Sequence, residues 1–193
     1  MIKQAPNELG LHPLLQKRWS ARSFEQKHIP NDKLQIMFQA AAWSSSSMNE
    51  QPWRFVYGAH GSATHELIAS VLMPGNALWA KEAPLLMAVF AKKQFDDGSD
   101  NMHAWHDVGA ACTSLLLQGV AFGIYGHQMG GFDREKAKQV FTYADEYDIV
   151  SIIALGFLGE ADALKEPFRT REVTPRIRKE PASFAFESFK EIT

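Results

Sequence analysis

The chain has 193 residues, 46% hydrophobic and 22% charged, a length and balance that hold one domain with a substantial core. Such a composition excludes a disordered, collagen-like or coiled-coil chain. With 20 Lys and Arg against 22 Asp and Glu, the formal net charge of -2 leaves no basic excess for nucleic acid or an anionic membrane, and neither is an expected partner.

Leu11, Leu14, Leu15 and Trp19 share helical spacing and predict a short helix up to about Trp19. A second helix is expected from Pro30 and Asn31, opened by a capping side chain, with Leu34, Met37, Phe38 and Ala41 on one stripe. Four serines, Ser44 to Ser47, end it in a polar loop. Trp53 to Tyr57 reads as a strand opened by Pro52, and Ala63 to Val71 as a helix followed by a break at Pro74 and Gly75. The continuous apolar run Pro84 to Ala91 predicts a strand covered on both faces.

Asp96 to Asn101 is a polar turn; it lacks the downstream Glu of a calcium loop. The longest helix is predicted from Asn101 to Gly123, roughly 33 Å of axis. Trp105, Val108, Gly109, Cys112, Leu115, Leu116, Gly119, Val120 and Gly123 lie on its buried stripe. Three glycines there, each costing about 1 kcal/mol of helix propensity, imply close packing on a sheet or on a second copy of the chain. A strand at Ile124 to His127, a helix from Asp133 to Phe141 and a strand from Ile149 to Leu158 complete the core. Beyond Glu160, prolines at 167, 175 and 181 leave little room for regular structure, and Phe184, Phe186 and Phe189 read as an extended arm with one sticky edge.

Few of the familiar catalytic patterns occur. There is no GxSxG elbow, no Walker A sequence and no GxGxxG. His103 and His106 beside Asp107 have a metal-compatible spacing without an evident third ligand, so no metal is expected. Cys112 lies on the apolar stripe and reads as an inert thiol; as the one cysteine it points to a reducing cytoplasm. The opening MIKQAPNELG has neither an apolar signal core nor a transit-peptide character, and no apolar run reaches the roughly 18 residues that span a bilayer.

Three polar clusters remain. Arg18-Trp19-Ser20-Ala21-Arg22-Ser23-Phe24 offers two guanidiniums to a phosphate or carboxylate, although read alone it is better taken as a solvated helix end. Ser45 to Trp53 offers hydroxyls and amides to a heteroaromatic edge, or a serine-rich cap. Gly126 to Asp133 lets backbone N–H groups approach a planar ligand, or simply turns a strand into a helix.

In this order the three clusters resemble the FMN-dependent nitroreductase family. Its Arg-x-Ser-x-Arg-x-Phe stands as Arg18, Ser20, Arg22 and Phe24, and its Ser-Ser-x-Asn-x-Gln-Pro-Trp as Ser46, Ser47, Asn49, Gln51, Pro52 and Trp53. Asp107 and Gly109, Gly131-Phe132-Asp133, Leu155-Gly156 and the Arg176/Arg178 pair continue the match over nearly the whole chain. Two positions depart from it: Gly130 stands where many relatives carry an acid, and Ser45 where proline is usual.

The resemblance implies an α+β sandwich, residues 1–193 as one domain. It has a mostly antiparallel central sheet flanked by helices, a long helix at a homodimer interface, and a C-terminal arm at 160–193 packing on the partner. It implies FMN at that interface and NADH or NADPH as co-substrate. Arg18, Trp19, Ser20, Arg176 and Arg178 match positions around the phosphate and ribityl chain, and Arg22 the cation at the ring edge, which favours reduced flavin. Ser46, Ser47 and Asn49 match positions reaching the flavin from the other subunit. Met129, Gly130 and Gly131 match backbone contacts near N5, and Asn76 matches a further flavin contact. Met48 and Trp79 would flank the open face where substrate stacks. With hydride carried by the flavin, no side chain is assigned a catalytic role. The implied activity is ping-pong transfer from NAD(P)H to a nitroaromatic, quinone or similar small acceptor. Reduction of a defined enone or aldehyde, and flavin binding without turnover, are the alternatives.

Overall fold

The computed structural model describes residues 3–6 and 10–189. Four strands, β1 (Trp53–Ala59), β2 (Leu85–Lys92), β3 (Ile124–Met129) and β4 (Tyr147–Phe157), form one sheet in the order β1-β2-β4-β3. All three pairings are antiparallel. Among the described residues, seven α-helices surround it: α1 (Pro13–Lys17), α2 (Asn31–Ala42), α3 (Ala63–Ser70), α4 (Pro74–Ala80), α5 (Ala104–Ala121), α6 (Arg134–Phe141) and α7 (Phe168–Val173). The architecture is the expected α+β one.

Both faces of the sheet are covered, which is why β2 is apolar from Leu85 to Ala91. Met87, Val89 and Ala91 pack with Ile153 and Leu155 against Leu34 and Met37 of α2 and Val108, Cys112 and Leu115 of α5. The alternate residues Leu86, Ala88 and Phe90 pack with Ile152 and Ala154 under α3, α4, α6 and α7. Each large aliphatic side chain fully buried here contributes about 1.5–3 kcal/mol. A smaller cluster of Trp19, Ala21, Val120 and Tyr125 fastens the segment after α1 to the end of α5 and to β3.

Several elements differ from their sequence expectations. α1 stops at Lys17, because Arg18 is already extended and carries the following residues along the sheet margin. α2 begins after Pro30 with no capping side chain. Pro74 starts α4 rather than breaking the chain: at the first helical position its missing N–H is not needed. α7 forms within the stretch beyond Glu160 that the prolines were expected to keep irregular. Of the three glycines expected on the long helix, Gly123 falls beyond the end of α5 and only Gly119 is buried in close packing, where a Cβ would meet Ile124 O and Met37 Cε at 2.9 Å. Gly109 and Gly123 are exposed, as is Trp105 by 44%. Residues 190–193 of the expected arm lie outside the described residues. Among the described residues no helix is long and apolar enough to cross a membrane.

Candidate functional site

The extended backbone from Arg18 brings the first cluster to the margin of β3, where a ring nitrogen of His127 lies 3.1 Å from Ala21 O. Across from it, the chain leaving α7 delivers Arg176 and Arg178. Arg18, Trp19, Ser20, Arg22, Arg176 and Arg178 thereby line one cavity of about 330 Å³, together with Lys3, Arg171, Thr174 and Pro175. Six cations face this cavity, and among the described residues no carboxylate lines it. Sequence reading missed Lys3 and Arg171, since an isolated Lys or Arg on a polar stretch has no signal that separates it from a solvated one.

Apart from Arg22, which the buried Glu172 carboxylate faces at 4.0 Å, the cations of this cavity have no ion-pair partner among the described residues. Arg176 donates from Nη1 to Arg18 O and from Nη2 to Gln16 O, both at 2.6 Å, so it latches the C-terminal segment to the end of α1. Burial holds the Arg18 guanidinium below its ordinary pKa, and Arg178 adds repulsion; Arg176 is lowered by burial and by Arg18 and Arg178. Trp19 Nε1 and Arg176 Nε are buried donors with no hydrogen-bond partner. Clustered cations and unused N–H donors around one cavity suit a multivalent oxyanion such as a phosphate monoester.

Arg22 forms the boundary between this cavity and a larger one of about 750 Å³ bordered by Phe24, Ala77, Leu78, Trp79 and Phe168. Trp79 is 3% exposed; its ring packs at 4.7 Å on His127, with the Arg22 guanidinium 5.9 Å from the ring centroid. It is therefore a wall beneath Arg22 within this chain, while Met48 is 86% exposed. Burial, with Arg22 and Arg18 nearby, pushes the His127 pKa down to about 4, so the imidazole is neutral near pH 7 and its Nδ1–H donates to Ala21 O.

The third cluster follows at the end of β3. Met129 is buried, while Gly130 is exposed and its missing Cβ would meet nothing within 4 Å. Asn76, on α4, donates from Nδ2 to Gly131 O at 2.9 Å, and Met73 N–H bonds the same carbonyl at 3.2 Å. A Cβ at Gly131 would lie 2.7 Å from Asn76 Nδ2, so glycine there lets α4 close on the turn. The fold thus brings Asn76 and Gly131, 55 residues apart, into contact.

The second cluster is elsewhere. Ser47 N–H donates to Oδ2 of buried Asp107 in the first turn of α5 at 2.9 Å, and Gln51 N–H donates to Ser46 Oγ at 3.1 Å. Between them Met48, Asn49 and Gln51 take φ values of 54°, 56° and 51°. Three non-glycine residues in left-handed backbone within four positions concentrate local backbone strain in this loop. Replacing Asp107 by Asn should release about 1.5 kcal/mol of that anchoring, since a charge-assisted bond becomes a neutral one. The expected readout is faster amide exchange across residues 46–51 with little change in the sheet.

Asp107 and Val120, which packs with Trp19, are 13 residues apart on α5, about 20 Å along its axis. One chain therefore does not join the Ser46–Asn49 loop to the cationic cavity. Cys112 is fully buried, with its thiol pushed up to about 12, so it is no nucleophile. His106 turns to Asp107 at 3.0 Å, and among the described residues no three metal-ligating side chains gather.

The nitroreductase family pattern matches residues 15–73 and 59–157, so the chain belongs to the nitroreductase family. A solved oxidoreductase containing FMN is 32% identical, with a TM-score of 0.87 over 96% of this chain and 94% of that one. An uncharacterized 15.4 kDa protein of Mycolicibacterium smegmatis is 31% identical over 144 residues, 69% of this chain and 94% of its own length. A nitroreductase-like structure from Desulfovibrio desulfuricans in complex with FMN shares the fold, with a TM-score of 0.72 at 18% identity, covering 92% of this chain and 98% of that one.

Proposed function

We propose that the protein is an FMN-dependent oxidoreductase that takes hydride from NADH or NADPH and delivers it to a small acceptor such as a nitroaromatic or quinone, in a ping-pong sequence. The observation that carries this reading is the cavity with six cations and two unpartnered N–H donors, which shares Arg22 with the neighbouring cavity bordered by Pro74, Ala77 and Trp79 of α4. When bound, FMN supplies the hydride chemistry, and the chain supplies binding, orientation and charge.

Arg18, Arg176 and Arg178, with Ser20 and the Trp19 N–H, would hold the phosphate and ribityl end. Arg22 would present its guanidinium to the ring edge, where a cation favours added negative charge. Asn76, aligned by Gly131 O, and the backbone of Met129, Gly130 and Gly131 would border the ring near its reactive nitrogen. Gly130 brings no side chain there, so that border is made by main chain alone.

Ser46, Ser47 and Asn49 would come from a second copy of the chain, because in one copy they sit at the far end of α5. Exposed Trp43 (87%), Met48 and Met102 (87%) near that end, and Phe184 and Phe189 on the C-terminal segment, are apolar area that a partner would cover. The substrate would then stack beside Met48 of that loop, with Trp79 supporting the ring edge from below. A two-fold pair would so complete two sites, each from both chains.

Purified protein loaded with FMN should be yellow, and should bleach anaerobically with NADH or NADPH and recover on addition of a quinone or nitroaromatic. Colour that persists with both nicotinamides would leave a flavin-binding protein without turnover. A protein that cannot be loaded with FMN would overturn the reading. Light scattering should give the mass of a dimer at micromolar concentration.

A further inference from the structure

Glu172, on α7, reaches the cationic site from behind. Its Oε1 accepts from two consecutive amides, Arg22 N–H and Ser23 N–H, each at 2.9 Å. Its Oε2 is buried without a hydrogen-bond partner, 4.0 Å from Arg22 Nη1, in a side chain that is 5% exposed. Leaving one oxygen of a buried carboxylate without a donor is costly, and ordering the backbone needs only the other oxygen. The second oxygen does something else: its charge falls on the Arg22 guanidinium.

That guanidinium is attracted without being consumed. At 4.0 Å it makes no hydrogen bond to the carboxylate, and among the described residues the Arg22 side chain has no other acceptor. The peptide is pinned from the opposite side as well, by His127 on Ala21 O, while Trp79 supports the guanidinium from below. Three elements, β3, α4 and α7, thus converge on Arg22, and only α7 brings a negative charge.

We propose that Glu172 is a positioning residue for Arg22. It fixes the Arg22–Ser23 backbone through one oxygen, holds the guanidinium by charge through the other with all of its donors free for the flavin edge, and tempers how strongly that cation favours reduction. The proposal rests on the FMN reading above. Removing the charge while keeping the shape makes bound flavin easier to reduce, because an unopposed cation then faces the ring.

The test is an anaerobic redox titration of the FMN-loaded protein, beside FMN affinity by fluorescence quenching. Glu172→Gln retains a carbonyl acceptor for both amides. It should raise the two-electron midpoint potential by at least the equivalent of a tenfold gain in preference for reduced flavin, about 30 mV, with oxidised-FMN affinity within threefold of wild type. Glu172→Asp keeps the charge but falls short of the amides. It should leave the potential near wild type and weaken FMN binding several-fold, a split that a purely structural role would not produce. Should Glu172→Gln not fold, Arg22→Gln reads the same coupling and should lower the potential. An unchanged or lowered potential in Glu172→Gln, or an unchanged one in Arg22→Gln, overturns the proposal while FMN still binds. Failure of wild type to take up FMN overturns the flavin reading and this proposal together, and is recognisable as such.

Discussion

Replacing Arg18 with alanine should weaken FMN binding by about 1.5–3 kcal/mol, or about 10- to 150-fold in Kd, the worth of one charge-assisted contact to phosphate. The side chain is half-buried, and the pull on its pKa comes first from burial and then from Arg178, so without an anion it sits among like charges. Two consequences separate a binding role from a structural one. The ligand-free variant should be as stable as wild type or slightly more so, because a repelling charge has gone. Added FMN or inorganic phosphate should raise Tm in wild type, by mass action on the folded state, and much less in the variant. Fluorescence titration and thermal unfolding at low ionic strength measure both. Equal FMN affinity in the two proteins would remove Arg18 from the phosphate site.

Acid should destabilise the fold through His127. Its folded pKa of about 4 lies below the ordinary 6.5. Between those values the unfolded chain binds a proton that the folded chain refuses. Stability from this group is therefore complete above about pH 6.5 and declines as pH falls toward 4. The shift corresponds to about 3 kcal/mol in all, of which about 2 kcal/mol is gone by pH 5. The physical cause is first burial of the ring and then the Arg22 and Arg18 charges. His65, fully buried with Nε2 against Ala83 O, is lowered as well and adds loss in the same direction. Urea unfolding at pH 7 and pH 5 should show the decline, and His127→Gln should flatten it. An equal decline in both proteins would locate the acid sensitivity elsewhere.

Much of the architecture is legible along the chain. Helical spacing finds α2, α3, α5 and α6, and the unbroken apolar run from Pro84 marks β2, the strand with both faces covered. The differences have two causes. Proline was treated as a breaker at Pro74 and Pro167, yet Pro74 occupies a helix start and Pro167 directly precedes one, where its lost N–H costs nothing. The α5 stripe was drawn too wide, since Gly109 and Trp105 have suitable spacing but face outward.

The site divides in the same way. Arg18, Ser20, Arg22, Arg176 and Arg178 were identifiable as residues, and the structure does gather them around one cavity. Lys3, Arg171, Glu172 and the neutral His127 were not, because each matters through neighbours more than 100 residues away: Lys3 donates to Arg171 O, Glu172 accepts from Arg22 and His127 serves Ala21.

By itself, the sequence determined the α+β alternation, the family and the chemical types of most groups that line the cationic cavity, because spacing and side-chain chemistry are local properties of the chain. The tertiary structure alone decided that six cations share one cavity, that one buried carboxylate stands behind Arg22, and that the serine loop lies at the opposite end of α5. Charge proximity, burial and the span of a rigid helix are distances through space, and a linear chain does not record them.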